Sequence, residues 1–226
     1  GGEIAGENYL LLGSRDVQRV VDDIVKAKPD VIINTINGDT NIAFFKELRK
    51  AGVTPDKIPT MSFSIAEQEL RDIDPKTTAG DYATWSYFQS IDTKENRDFV
   101  GSFKKKYGSD RVTDDPMEAG YFGVYLWAQA VAAANKDGVK EVLVTIGGES
   151  LLAPEGIVCV SPKSRHAWRT VRIGRIREDG QFDIVWTSGK PIRPISYPVF
   201  RLKSSWNKFI DELYNGWGRK WSNPGS

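Results

Sequence analysis

Five small polar residues occupy positions where side chains could bind a ligand. Four of them follow one of two apolar stretches, residues 30–36 and 60–63, and the fifth, Ser62, lies within the second stretch. They are Asn37, Asp39, Thr40, Ser62 and Ser64. Their amide, carboxylate and hydroxyl groups can donate and accept hydrogen bonds, which suits a small polar ligand. The first three could equally serve only as turn and helix-capping residues. The pattern by itself favours neither role.

The residues needed for several common kinds of catalysis are absent or isolated. The sequence has one histidine, His166, and one cysteine, Cys159, which leaves no zinc site of ordinary composition and no internal disulfide. Ser161 lies near the histidine, but no G-x-S-x-G motif is present. The sequence also lacks a G-x-x-x-x-G-K-[ST] loop and a dinucleotide-binding glycine pattern. We therefore predict no catalytic residue, no metal and no cofactor.

The alternation of strands and helices predicts a parallel sheet that positions the five polar residues. Residues 7–12, 30–36 and 60–63 have strand character, and amphipathic helices follow the first two. The second strand is nearly continuous in apolar residues, which predicts burial on both faces. Such strand–helix–strand units form parallel sheets. Ligands bind beyond the carboxyl ends of these strands, where the five residues lie.

The later sequence changes character twice. Residues 95–107 predict one helix, and residues 117–135 predict a second, apolar nearly all round and therefore buried between layers. From residue 156 a two-residue alternation predicts antiparallel strands, with a hairpin turn at Asp179-Gly180. An amphipathic helix is predicted in the aromatic tail.

The totals describe a globular chain without a charge bias. Of its 226 residues, 40% are hydrophobic and 11% aromatic, enough for a sizeable core. The 31 basic and 30 acidic side chains give a formal net charge of +1. Attraction to nucleic acid or to an anionic membrane is therefore not indicated. This balance favours a small partner that is neutral or weakly charged.

Four blocks of sequence together resemble one protein family. In order they are KPDVIINTINGDTNIAFF, IPTMSFSIAEQEL, DPMEAGYFGVYLWAQAV and HAWRTVRIGRIREDGQFDIVW. Their combination resembles the urea and short-chain amide substrate-binding proteins of ABC transporters, which have the type I periplasmic binding-protein fold. The resemblance implies an α/β fold with two lobes built on parallel sheets and a small ligand between them. It places the family's second-lobe contacts at residues 37–40 and 62–65.

The resemblance also implies a division of the chain. Residues 1–78 and 153–198 would form the second lobe, residues 79–152 the helical remainder of the first lobe, and residues 199–226 a C-terminal tail helix. Family members begin with a complete first lobe and the first strand of the second, which have no counterpart in this sequence. We therefore expect an incomplete first lobe, to be completed by the missing segment or by a partner chain.

The first functional class is a solute-binding protein without catalysis. By resemblance it would be periplasmic or extracytoplasmic and would deliver urea or a short-chain amide to an ABC permease. Urea offers four N–H donors and one acceptor, so Asp39 would accept hydrogen bonds while Thr40 and the two serines could donate or accept. A cytoplasmic amide-sensing regulator of the same fold and a branched-chain amino acid binding protein are the alternatives.

Two other functional classes remain open. An enzyme acting on a small polar substrate would need a base, and only Asp39, Asp115 or Glu67 could serve. An interaction module is indicated only by the aromatic tail, which contains Trp206, Trp217 and Trp221.

Overall fold

The structure is a computed structural model that describes residues 1–221; the end of the predicted tail, residues 222–226, lies outside it. Helices and strands alternate along the chain. In order they are α1 (Gln18–Ala27), β1 (Ile32–Asn34), α2 (Thr40–Lys50), β2 (Thr60–Ser62), α3 (Glu67–Asp72), α4 (Pro75–Thr78), β3 (Tyr82–Trp85), α5 (Lys94–Tyr107), α6 (Asp115–Ala134), α7 (Val139–Thr145), β4 (Ser150–Ala153), β5 (Gly156–Val160), β6 (Ala167–Trp168), β7 (Arg172–Ile176), β8 (Phe182–Thr187) and α8 (Lys203–Gly216).

A five-stranded sheet has the strand order β1-β2-β3-β7-β8. The first three strands are parallel, as predicted, whereas β7 and β8 join antiparallel, so the sheet is mixed rather than wholly parallel. Its main apolar core combines sheet residues with residues of α1, α2 and α3. Its fully buried members include Val21, Phe44, Phe45, Leu48, Leu70, Phe88 and Phe182. This α/β core explains the apolar stripes that the sequence shows on its early helices.

A smaller sheet, in the strand order β4-β5-β6, is antiparallel. It packs against α6, where Phe122 and Leu126 meet Val158 and Val160. Helix α5 joins this unit through Phe99, whose ring centroid lies 4.6 Å from that of Tyr121. Helices α5 and α6 and the three short strands therefore form one packed unit.

The two sheets divide the chain differently from the predicted boundaries at residues 78 and 153. Strand β3 lies after residue 78 but belongs to the five-stranded sheet, because it pairs with β2 and β7. Strands β5 and β6 lie after residue 153 but belong to the three-stranded sheet. The chain changes sheet between Trp85 and α5, and again at residues 169–171. The second change separates β6 from β7.

The predicted strand at residues 7–12 is absent, and β1 is not buried on both faces. Strand β1 is the edge of its sheet, with Ile32 and Asn34 buried but Ile33 62% exposed. Residues 2–10 have no regular structure and lie across a groove of about 1420 Å³ from that edge. A segment becomes a strand only when a neighbour satisfies its backbone groups. Across this groove residues 7–12 have no such neighbour.

The predicted hairpin is confirmed. Strands β7 and β8 pair antiparallel, and Gly180 in their turn has a φ of +75°. Glycine is required there because a side chain at positive φ is strained. A Cβ at this position would also lie 3.4 Å from Pro75 Cγ.

Two predicted helices are present but leave apolar side chains uncovered. Helix α6 buries only one side, while Val124 is 64% exposed and Trp127 is 49% exposed. Helix α8 contains no buried residue. It contacts the segment before it, where Trp206 Nε1 donates to Pro198 O at 3.1 Å. Among residues 1–221, no helix combines the length and apolar character needed to cross a membrane.

Candidate functional site

The candidate site is the carboxyl edge of β1 and β2, whose ends pair at Asn34 and Ser62. Beyond β1 the chain turns at Gly38, which has a φ of +67°, and enters α2. Beyond β2 it passes through Ser64 towards α3. The structure therefore brings the two predicted groups of polar residues to one edge, as the parallel arrangement requires.

Asp39 and Asn37 lie exposed on this edge. Asp39 is the N-cap residue of α2, yet its side chain makes no capping hydrogen bond. The side-chain amide of exposed Asn37 donates to Thr35 O at 3.2 Å. The helix-capping alternative for the carboxylate is therefore not observed. Its two oxygens remain available as hydrogen-bond acceptors.

The three hydroxyl groups differ in their surroundings. Thr40 is buried, and its Oγ1 has no hydrogen-bond partner within the described residues. Ser64 is half-buried and its hydroxyl donates to Ile36 O. Ser62 is fully buried and accepts a hydrogen bond from Asn34 Nδ2 at 3.1 Å. Ser62 thus lies beneath the edge rather than on it.

Two asparagines that the sequence reasoning missed hold this edge together. Asn34 Nδ2 also donates to Asn41 Oδ1 at 3.0 Å, and Asn34 Oδ1 accepts the Ile36 N–H at 2.9 Å. Asn41 Nδ2 in turn donates to Ile36 O at 2.6 Å. Buried polar groups need such partners, so the network fixes the turn that carries Asp39. The available signal was an asparagine within an otherwise apolar strand.

A second polar cluster lies away from this edge and was also missed. Arg169 pairs with three buried carboxylates, those of Asp115, Glu118 and Glu155. Its Nη1 donates to Asp115 Oδ1 at 3.0 Å, its Nη2 to Glu118 Oε2 at 3.0 Å, and its Nε to Glu155 Oε2 at 2.8 Å. The guanidinium carbon lies 5.2 Å from the centre of the Phe122 ring. We call these four charged residues the Arg169 cluster.

Burial and neighbouring charge alter the protonation of several carboxyl groups. Burial, together with the nearby Glu155, raises the pKa of Glu118 to about 8. Burial also raises the pKa of Glu67 to about 8; its Oε1 accepts the Gln89 N–H at 2.6 Å. Burial raises the pKa of Asp81 to about 6, although Arg49 opposes the shift.

The three candidate bases of the enzyme alternative do not meet. Asp39 is exposed on the sheet edge, whereas Asp115 is paired with Arg169 and accepts the backbone N–H groups of Ser86 and Tyr87. Glu67 is 1% exposed. In the part of the chain that the structure describes, no group of three or more His, Cys, Asp or Glu residues could hold a metal ion. The edge offers hydrogen bonds without an assembled acid–base pair.

Two proteins of related sequence are a Geobacillus stearothermophilus protein named limonene hydroxylase and the Leu/Ile/Val-binding protein homolog 6 of Brucella melitensis biotype 1. The first is 39% identical over 117 residues, covering 52% of this chain and 21% of that protein. The second is 24% identical over 189 residues, covering 80% of this chain and 48% of that protein. The chain thus spans half or less of the length of these relatives.

Two solved structures have a similar fold. A solute-binding protein of an ABC transporter from R. palustris, in complex with 4-hydroxybenzoate, gives a TM-score of 0.76 at 21% identity and covers 89% of this chain and 56% of that chain. An amino acid ABC transporter substrate-binding protein from Pseudomonas fluorescens Pf-5 gives 0.72 at 18% identity, covering 85% and 52%. At these identities the likeness concerns the fold alone.

The fold is therefore the type I periplasmic binding-protein fold, as the sequence predicted, and this chain forms part of it. The family model covers nearly all of the sequence. Matched over residues 1–203, the chain belongs to the periplasmic binding protein domain family.

Proposed function

We propose that this chain is part of an extracytoplasmic solute-binding protein that captures urea or a short-chain amide and passes it to an ABC permease. The observation that carries the proposal is the exposed Asp39 carboxylate, which lies at the carboxyl edge of β1 and makes no capping hydrogen bond to α2. An amide N–H needs an acceptor of this kind. Asn37 and Ser64 would supply further hydrogen bonds. Thr40 and Ser62 are buried, and Ser62 would act through Asn34 by fixing the turn.

The chemistry of the edge favours a neutral ligand. The five candidate residues include a carboxylate but no lysine or arginine. A ligand that carries its own carboxylate would meet repulsion from Asp39 unless a cation from elsewhere compensated it. Urea and short amides have no charge and offer mainly N–H donors. This contrast separates the proposal from binding of amino acids or aromatic acids.

Binding of a branched-chain amino acid or an aromatic acid is the second candidate. It is favoured by the name of the Brucella relative and by the 4-hydroxybenzoate in the R. palustris structure. A cytoplasmic amide sensor of the same fold is a further alternative for the same site. Each would use the same carboxyl edge with a different second wall, meaning the protein surface on the other side of the ligand.

A second wall is needed in every case. The carboxyl edge supplies one side of a cleft, and the uncovered face of α6 and the open edge of β1 are surfaces that more protein would cover. Urea has four non-hydrogen atoms, and at roughly 1.5 kcal/mol per atom its binding is limited to about −6 kcal/mol. With half of the contacts, a dissociation constant in the millimolar range is expected for this chain alone.

Calorimetric titration tests the proposal. The protein containing this chain with its second wall is titrated with urea, acetamide, formamide, leucine and 4-hydroxybenzoate, and we expect measurable heat with urea or an amide. Asp39→Asn should weaken that binding by about 1.5 kcal/mol or more, the scale of a hydrogen bond to a charged group. Asp30→Asn, an exposed carboxylate at the opposite end of β1, is the matched control.

Binding of leucine or 4-hydroxybenzoate in preference to amides would overturn the ligand assignment and leave the fold intact. Steady release of ammonia from urea or an amide would instead establish the enzyme alternative. An Asp39→Asn affinity equal to that of Asp30→Asn would remove Asp39 from the site.

A further inference from the structure

Strand β1 has a neighbouring strand on one side only. The Ile32 N–H donates to Pro59 O at 3.0 Å. Asn34 O accepts the Phe63 N–H, also at 3.0 Å, so both residues direct backbone groups towards β2. Successive residues of a strand direct these groups to opposite sides. The N–H and C=O of Ile33 therefore point to the open edge of the sheet.

Residues 2–10 form the opposite wall of the groove along this edge. They lead into α1, which leads into β1, and such a crossover makes the segment run parallel to β1. Its end reaches the carboxyl edge, where a Cβ at Gly38 would lie 3.7 Å from Leu12 Cδ1. The segment is apolar but unburied, with Ile4 81% and Tyr9 86% exposed. Both walls of the groove are thus extended segments that lack a neighbour.

The groove has about the size of one strand. Its volume is about 1420 Å³. A seven-residue strand fills roughly 1100 Å³, at about 3.3 Å per residue, about 4.8 Å of sheet width and about 10 Å of layer thickness. In the doubly wound strand order 2-1-3-4-5, the strands before and after a crossover helix flank another strand in this way.

The lining of the groove favours an apolar occupant. Leu10, Val20 and Ile24 line it and pack against the main core, so the apolar core continues into the groove. Acidic and basic side chains both lie around it, which favours no strongly charged segment. A strand with β-branched and other apolar side chains would bury this surface and pair with the Ile33 backbone.

We propose that an apolar β-strand occupies this groove, parallel to β1 and between β1 and residues 2–10. The strand belongs to the polypeptide that forms the second wall, because this chain covers only 56% of the R. palustris binding protein of the same fold. A strand parallel to β1 ends at the carboxyl edge, so the residues that follow it adjoin Asn37 and the candidate site. The inserted strand does not depend on which ligand that site binds.

Photo-crosslinking identifies the occupant of the groove. The label p-benzoylphenylalanine is incorporated at position 33 in the protein that contains this chain with its second wall, and the products are mapped by mass spectrometry. We expect position 33 to be joined to a segment outside residues 1–226. The matched control carries the label at position 185, which is exposed on β8 at the other edge of the sheet and should not give this product. A product with residues 2–12, or one that joins two copies of this chain, would overturn the proposal.

Amide hydrogen exchange tests whether the occupant pairs as a strand. In the same protein, the Ile33 N–H should be protected from exchange as strongly as the Ile32 N–H, which already has a partner. Loss of protection at Ile33 beside a protected Ile32 would show an open edge and contradict the inserted strand.

Disulfide trapping tests the spacing of the two walls. In a Cys159→Ala background, Asn8→Cys with Ile33→Cys should form no disulfide, because an intervening strand holds the Cα atoms about 10 Å apart, beyond the limit of about 7 Å. The matched control is Ile33→Cys with Met61→Cys, which are register partners on neighbouring strands and should form one. A disulfide between positions 8 and 33 would show that residues 2–10 pair with β1 directly, which leaves no room for the strand.

Discussion

The carboxyl edge of β1 and the Arg169 cluster both contain acidic side chains, but in opposite surroundings. Asp39 on the edge is exposed and makes no capping hydrogen bond, whereas Glu118 and Glu155 are buried and bonded to an arginine. An exposed carboxylate remains available for a ligand and costs little when removed. A buried carboxylate must be neutralised or paired, so its loss or exposure affects the whole fold. Burial, and not residue type, distinguishes the exposed Asp39 carboxylate from the paired carboxylates of the Arg169 cluster.

The largest expected effect on stability is that of removing the Arg169 guanidinium from its cluster. Arg169→Met leaves three buried carboxylates without their cation and should lower the free energy of unfolding by about 3–5 kcal/mol. Denaturation by guanidinium chloride measures it. The control is Arg177→Met, because Arg177 makes only exposed ion pairs with Asp179 and Asp183 and should cost about 1 kcal/mol or less. Equal losses in the two variants would contradict the contrast.

The second prediction concerns pH. Glu118 and Glu67 ionise near pH 4.5 when unfolded but near pH 8 when folded, because burial raises each pKa. The folded state therefore binds more protons between these values, and stability should fall as the pH rises from about 5 to 8. Each group contributes at most about 1.4 kcal/mol per pH unit.

Denaturation curves from pH 5 to pH 8 measure this dependence. Glu118→Gln and Glu67→Gln should each make it shallower, because glutamine does not titrate. A slope that neither glutamine variant alters would show that these two groups do not control stability.

The third prediction tests the polar network beneath the edge. Asn34→Leu removes the partner of Ser62 and Asn41 and should lower the free energy of unfolding by about 1–3 kcal/mol, the cost of leaving buried polar groups unsatisfied. Exposed Asn37→Ala is the control and should change stability by about 0.5 kcal/mol or less. A negligible loss in Asn34→Leu would show that the network does not hold the turn.

The smallest expected effect on stability is that of removing the exposed Asp39 carboxylate. Asp39→Ala should change the free energy of unfolding by no more than about 0.5 kcal/mol, because its side chain does not cap α2. A real N-cap would cost about 1 kcal/mol. Thermal melting of this variant beside Asp30→Ala makes the measurement. A loss at the capping value would return Asp39 to the structural role that the sequence left open.

Local pattern was enough for much of the fold. The hairpin at Gly180 follows from a D-G pair between alternating residues, and the helices at α5 and α6 follow from their spacing and capping signals. The shared edge of the polar residues was also predictable, since parallel strands end on the same side. These features depend on neighbours within a few residues or on a general rule of sheets.

Only the tertiary structure decided the surroundings of each polar residue. Ser62 and Asp39 look equivalent in the sequence, but Ser62 is buried beside Asn34 and Asp39 is exposed, because Ser62 is the last residue of β2 whereas Asp39 lies beyond β1 at the start of α2. Arg169 lies more than 50 residues from Asp115 and Glu118 in the sequence, so no local pattern predicts that they pair. The strand at residues 7–12 failed for the same reason: a strand exists through a partner distant in sequence, and burial, pairing and protonation are properties of the assembled fold.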